Sequence, residues 1–165
     1  MITQARLKEL LAYNPDTGVF TWLVKSNRKI RIGDIAGHLD GKGYRRIKVE
    51  QKRYQAHRLA WLYMTGAWPV AQIDHRNGNK DDNRWDKLRE ATNAENQQNR
   101  VINRNNTSGL MGVCWNRKMG KWQAQIRGAG HRRFLGLFTD PEAAHAAYLA
   151  AKAEIHPFQP VPRVV

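Results

Sequence analysis

At Asp74-His75 a carboxylate and an imidazole stand side by side, after the apolar Ile73 and before the turn-rich run Arg76-Asn77-Gly78-Asn79. The two groups do different chemistry. A carboxylate offers a hard anionic oxygen to Mg²⁺ or a similar ion, and an imidazole takes up a proton near neutral pH. Ile73–His75 reads as a short strand entering a loop, so Asp74 and His75 point to opposite sides of it. Leu88–Ala91 reads as the strand that leaves the loop, and Thr92 or Asn93 caps a polar helix reaching about Arg100. Asn96 on that helix can bring a neutral oxygen to the same ion. Such a site leaves coordination positions open for water and phosphate oxygens. Alone, an Asp-His pair before Asn-Gly is an ordinary polar turn; the order of strand, loop, strand and helix is what raises it above that.

The elements around this stretch follow from short-range patterns. Thr3 caps a helix whose apolar stripe is Leu7, Leu10 and Leu11, and Asn14-Pro15-Asp16-Thr17-Gly18 ends it. Val19–Leu23 alternates as a strand with Phe20 and Trp22 on one face. Tyr44–Val49 is a second strand, with Gln51 and Lys52 as a hairpin tip before Arg53–Ala56 returns. Leu59, Leu62 and Tyr63 mark a short helix that Gly66 and Pro69 stop. Trp61, Trp68 and Trp85 read as packing aromatics. Residues 103–109, Asn103 to Gly109, have little to bury and read as a linker. Three short strands then surround Gly112–Trp115, Trp122–Arg127 and His131–Phe138. An Ala-rich helix follows, with Pro141 and Glu142 as start signals and Ala143, Ala144, Ala147, Ala150 and Ala151 as a small packing face. Residues 157–165, with three prolines, read as a loose tail.

The chain has 165 residues, 28 Lys and Arg against 14 Asp and Glu, and a formal net charge of +14. A field of that sign concentrates polyanions, which makes nucleic acid the first partner to consider. The single cysteine, Cys114, excludes an intrachain disulfide and a Cys-rich zinc site. No apolar run approaches the ~20 residues needed to span a bilayer, and no leader is legible. The expectation is a soluble, cytoplasmic protein without a membrane partner.

From about His57 to Asn99 the chain resembles the HNH endonucleases, in particular those of phages and the intron-encoded nicking homing enzymes. The run Asp74-His75…Asn77-Gly78-Asn79…Asp82-Asn83-Arg84 carries the resemblance. It implies a ββα-metal fold, with His75 as the general base acting on water, and Asp74 and Asn96 as ligands of Mg²⁺, Mn²⁺ or another divalent metal. Where the family commonly has Asn-Leu-Arg this chain has Lys87-Leu88-Arg89. A charged lysine accepts no hydrogen bond, so bracing of the loop passes to Asn83 or Asp86. His57 belongs to the resemblance too; among apolar neighbours it reads as a hydrogen-bonded structural residue at a helix start rather than a second catalytic histidine.

From about Ser108 to Ile155 the pattern Gly112-Val113-Cys114-Trp115, Trp122–Arg127 and Phe134-Leu135-Gly136-Leu137-Phe138, followed by the helix, resembles the APETALA-type DNA-binding domain. The resemblance implies a three-stranded sheet facing the DNA major groove. Gln123, Gln125 and Arg127 share one face by alternation and suit base edges, with Trp122, Ala124 and Ile126 beneath. Arg117, Lys118, Arg132 and Arg133 suit phosphates.

Together these readings predict an α+β chain: residues 1–102 an HNH nuclease domain with an N-terminal helix and strand extension (motif core 57–99), 103–109 a linker, 110–156 an APETALA-type domain and 157–165 a tail. The expected function is metal-dependent hydrolysis of double-stranded DNA, one strand at a time, by a monomer or weak dimer, in the host cytoplasm if phage-encoded. The alternative is a non-cleaving DNA-binding regulator with a decayed HNH core.

Overall fold

A computed structural model describes residues 1–25, 28–98, 102, 105–128 and 130–158. The chain divides into two compact units, Met1–Thr92 and Asn93–Val165. The architecture is mixed α+β.

In the first unit, helix α1 (Gln4–Leu10) starts where the Thr3 hydroxyl accepts the Arg6 amide and ends where Leu11 turns extended. Strand β1 (Leu11–Tyr13) follows at once and pairs antiparallel with β2 (Phe20–Trp22). Sequence patterning had Leu11 in the helix stripe and no strand at β1. Leu7, Leu10, Leu11, Phe20 and Trp22 are all buried, and each such side chain stabilises the fold by about 1.5–3 kcal/mol. Strands β3 (His38–Leu39), β4 (Arg45–Val49) and β5 (Lys52–Gln55) form a three-stranded antiparallel sheet. The β4–β5 hairpin tip is Glu50-Gln51, one residue earlier than expected. Val49 pairs with Lys52, and both tip residues adopt positive φ, 46° and 67°, as a two-residue tip following the strand twist requires. Helix α2 (Ala56–Thr65) buries Leu59, Ala60 and Leu62 and stops at Gly66, whose φ of 82° suits glycine. Strand β6 (Gln72–His75) then pairs antiparallel with β7 (Leu88–Ala91), which a turn of 3-10 helix (Trp85–Lys87) precedes. Trp61 packs against Trp85 with ring centroids 5.1 Å apart, and Trp68 stacks on Tyr54 and donates to the Ile2 carbonyl.

The second unit opens with α3 (Asn93–Gln98); the sequence expectation carried this helix to Arg100, which lies outside the described residues. Of the linker read from composition, Asn103 and Arg104 also lie outside. The Asn106–Leu110 stretch is a hydrogen-bonded turn in which the Ser108 hydroxyl donates to the Val113 carbonyl at 2.8 Å. Strands β8 (Val113–Asn116), β9 (Lys121–Gly128) and β10 (His131–Phe138) form an antiparallel sheet ordered β10-β9-β8, and α4 (Pro141–Ile155) packs on it. Asp140 caps α4 through the Ala143 amide at 2.8 Å. Val113, Ala124 and Ile126 are buried beneath it, as alternation predicts, with Ala144, Tyr148 and Ala151 from the helix. Ala143 and Ala150 are exposed, so the helix face is Ala144, Tyr148, Ala151 and Lys152 rather than alanine throughout. Tyr148 fits because Gly112 has no side chain: a Cβ there would lie 2.0 Å from the Tyr148 ring. Of the tail, residues 159–165 lie outside the described residues.

Candidate active site and nucleic-acid interface

The β6–β7 pair fixes where Asp74 and His75 go. Asp74 stands opposite Arg89 in the register and His75 opposite Leu88, so the two side chains leave the ribbon on opposite faces. Asp74 is 5% exposed, and Arg89 grips its Oδ2 twice, through Nε at 3.0 Å and a terminal nitrogen at 2.9 Å. Two charge-assisted hydrogen bonds from one guanidinium restrain the carboxylate. Both contacts fall on Oδ2.

His75 is 4% exposed and sits in a ring cluster: its centroid lies 5.0 Å from His57, edge on, and 6.0 Å from Tyr44. His57 is the second residue of α2 and is buried, as a structural reading requires. Its Nδ1, however, has no hydrogen-bond partner among the described residues, so ring packing rather than hydrogen bonding holds it. Burial, reinforced by nearby His75 and Arg58, pushes the His57 imidazole down to about 3.

The loop between the strands is pinned from several sides. The His75 carbonyl accepts the Gly78 amide at 2.8 Å, and the Lys87 carbonyl accepts the Arg76 amide at 2.9 Å. Asp82 takes hydrogen bonds from Arg84 and Asn77, which hold its carboxyl down at about 2, against some opposing effect of burial. Arg45 of β4 grips Asp81 through two contacts of 2.8 Å. Asn83 is 1% exposed, and its amide nitrogen donates to the Asp81 carbonyl at 2.8 Å. It therefore stiffens the turn itself. Asp86 is largely exposed and pairs with Lys87. Bracing also comes from the N-terminal hairpin, which sequence reasoning did not connect to the loop. The Tyr13 hydroxyl donates to the Asn83 carbonyl at 2.6 Å, and the Pro15 carbonyl accepts the Trp85 amide at 2.9 Å. Tyr13 carries no motif signal. Arg89 belongs to the Lys87-Leu88-Arg89 stretch of the resemblance, but its partner becomes legible only once the register places it across from Asp74.

Asn96 lies on α3, in the unit that begins at Asn93. Among the described residues no group of three or more His, Cys, Asp or Glu could hold a metal. A carboxylate with an amide oxygen is a different donor set, two hard oxygens of the kind Mg²⁺ takes.

In the second unit, Gln123, Gln125 and Arg127 do share the face of β9 away from α4: Gln123 donates to Gln125 at 3.2 Å. Cys114 stands opposite Gln123, Phe134 opposite Gln125 and Arg132 opposite Arg127. Arg132 thus joins this face. Arg133 pairs with Ile126 on the helix side and lies 3.9 Å from Glu154 of α4. Arg117 and Lys118 are exposed in the β8–β9 turn. Phe134, 57% exposed amid this polar face, was not singled out in the sequence. A large apolar side chain left in water between Gln125 and Arg132 is the structural signal for it.

A profile described as HNH endonuclease matches residues 54–98, from within β5 to the end of α3. Protein 3.8 of Escherichia phage T7 is 31% identical over 90 residues, which cover 54% of this chain and 72% of that protein. Among solved structures, one described as DNA binding and cleavage by the HNH homing endonuclease I-HmuI matches with 28% identity and a TM-score of 0.43, covering 55% of this chain and 51% of that one. The matched region thus spans about half the length of that structure's chain. On the profile and the phage relative, the chain belongs to the HNH endonuclease family.

Proposed function

We propose that the chain is a divalent-metal-dependent endonuclease that nicks double-stranded DNA. The observation that carries this reading is the Asp74-His75 pair at the end of β6, with Asp74 buried and oriented by Arg89, inside the stretch that matches the HNH profile. Asp74 and Asn96 are the proposed ligands of Mg²⁺, with Mn²⁺ as a substitute. The bound ion supplies positive charge to the scissile phosphate and the departing 3′ oxygen. His75 accepts a proton from water as the water oxygen bonds to phosphorus and the bond from phosphorus to the 3′ oxygen breaks. The neighbouring rings of His57 and Tyr44 limit the rotamers of His75. Asn83 and Asp86, the latter through its pair with Lys87, keep the loop in shape; Tyr13 shares that task.

Residues 110–156 are proposed as the site-reading module, an APETALA-type domain. Its sheet on a helix has the architecture that resemblance requires. Gln123, Gln125 and Arg127 read bases on the open face of the sheet, Arg132, Arg117 and Lys118 hold phosphates, and Arg133 contributes from the sheet edge. No helix among the described residues is long and apolar enough to cross a membrane. The proposed setting is the cytoplasm, that of the host for a phage-borne chain, with action as a monomer or weak dimer.

Supercoiled plasmid incubated with Mg²⁺, with and without chelator, tests the reading. Open-circular product should form only with the metal, and His75→Ala should lower its rate by about 10²–10⁴ while gel-shift affinity stays unchanged. Binding without any nicking by the wild-type chain would leave the non-cleaving regulator as the function.

A further inference from the structure

We infer that Lys152 is a positioning residue for Asn96: its ammonium ties the C-terminal end of α3 to α4, so the unit with the basic sheet also holds the proposed ligand helix. This inference rests on the reading of Asn96 as a metal ligand.

Among the described residues helix α3 covers Asn93–Gln98 and buries none of them. A stretch that short is unstable by itself in water, and without a buried apolar face it needs another anchor. Lys152, in the last turn of α4, is 1% exposed, and lysine is almost never fully buried without a charged partner. Among the described residues neither of its contacts is a carboxylate: Nζ donates to the Gln98 carbonyl at 2.9 Å and lies 3.5 Å from Nδ1 of His156. Nε2 of His156 in turn lies 2.8 Å from the Arg127 carbonyl. One tautomer satisfies the whole series, with Nδ1 accepting from the lysine and the protonated Nε2 donating to β9. The result is a continuous connection from α3 through Lys152 and His156 to the sheet.

The chemistry of the partner explains the charge. The Gln98 carbonyl lies toward the C-terminal side of α3, the negative pole of a helix, which favours a cation. Burial pushes the Lys152 ammonium below its ordinary range, a cost that a methionine of similar length would avoid. Packing of α4 alone therefore does not call for lysine; holding the Gln98 carbonyl does. Asn96 is two residues from Gln98, within the same helical turn, so freeing the carbonyl frees the ligand.

The test uses the full chain with Lys152→Met and Lys152→Arg. In metal-free protein, hydrogen exchange in segment 93–98 should quicken roughly ten- to hundredfold in the Met variant, the factor that one hydrogen bond to a charged group is worth. Lys152→Arg should restore protection, because the cleft beside the lysine, about 930 Å³ and also lined by Gln98, Arg127, Tyr148 and His156, has room for a guanidinium. DNA affinity without divalent metal should not change, while the Mg²⁺ concentration for half-maximal nicking should rise about tenfold in the Met variant alone. If the Met variant loses the near-ultraviolet signal of Trp115 and Trp122, Lys152→Gln takes its place in both measurements. Unchanged exchange overturns the tie. Faster exchange with an unchanged Mg²⁺ requirement overturns the positioning role. A wild-type chain that binds DNA but never nicks overturns the nuclease reading and with it any role for Asn96, while exchange still reports whether the tie exists.

Discussion

His57 makes the folded chain sensitive to acid, and the size of the effect follows from its surroundings. The ring is 4% exposed, packed edge-on to His75 and 5.5 Å from Tyr44. Burial holds its pKa near 3 against an ordinary 6.5. Between those values the unfolded chain binds a proton at this position and the folded chain does not. Stability therefore falls as pH drops below 6.5, by about 1.4 kcal/mol per unit, until the folded value is reached. From about pH 7.5 to about pH 5 the expected loss is ~2 kcal/mol, and it depends on the unfolded value alone because both conditions lie well above 3. The assay is urea unfolding followed by tryptophan fluorescence at the two pH values, for the wild type and for His57→Phe, which keeps an aromatic ring in the cluster. Packing changes in the variant shift both of its values equally and cancel in the pH difference. His38, His75, His131, His145 and His156 are common to both chains. The wild type should lose ~2 kcal/mol more than the variant between the two conditions. Equal losses would show that His57 titrates normally in the folded chain, and the account of this cluster would be wrong.

Two further substitutions test the packing around the proposed sites. Tyr13→Phe removes the donor to the buried Asn83 carbonyl and should destabilise the first unit by roughly 1–3 kcal/mol; a urea midpoint equal to that of the wild type would remove the N-terminal hairpin from the bracing of the loop. Gly112→Ala meets both a φ of 77° and the Tyr148 ring. It should cost the second unit roughly 2–4 kcal/mol, seen as a lowered thermal midpoint of the Trp115 and Trp122 near-ultraviolet signal; an unshifted midpoint would mean that α4 is not packed on Gly112 as described.

The sequence carried the alternating strands well because their signal is local. Phe20 and Trp22 fall on one buried face, and Trp122, Ala124 and Ile126 fall under α4, as a period of two demands. It carried β1 badly for the same reason. Leu7, Leu10 and Leu11 fit a helical stripe, and only the pairing of Leu11 with Trp22 pulls the backbone extended there. The Asp74-His75 pair was visible as chemistry, but what orients it was not. Arg89 acts through register, Tyr13 through a contact across seventy positions of sequence, and His57 through ring packing where a hydrogen bond was expected. Each of these depends on tertiary geometry that no window of neighbouring residues encodes. Arg132 and Arg133 illustrate the limit at its smallest. Adjacent and identical in type, they stand on opposite faces of β10, one across from Arg127 and the other across from Ile126.

That opposition also bears on what the charge is for. Arg132 directly across from Arg127 is a like-charge pair, and such pairs destabilise a sheet. Lys48 across from Arg53 repeats the arrangement in the first unit. A fold under selection for stability alone has no reason to keep either pair, whereas a polyanion laid across the strands converts the repulsion into attraction and releases counterions as it binds. The composition, +14 over the whole chain, becomes specific only when the register shows cations facing one another. Truncation within residues 103–109, the linker read from composition, is the direct way to separate delivery from chemistry. With Gln98 held by Lys152, a chain ending near Asn105 loses the arginines proposed to hold phosphates and the anchor of α3 together. Its weak nicking would then report two losses at once, and only the full chain with Lys152 substituted separates them.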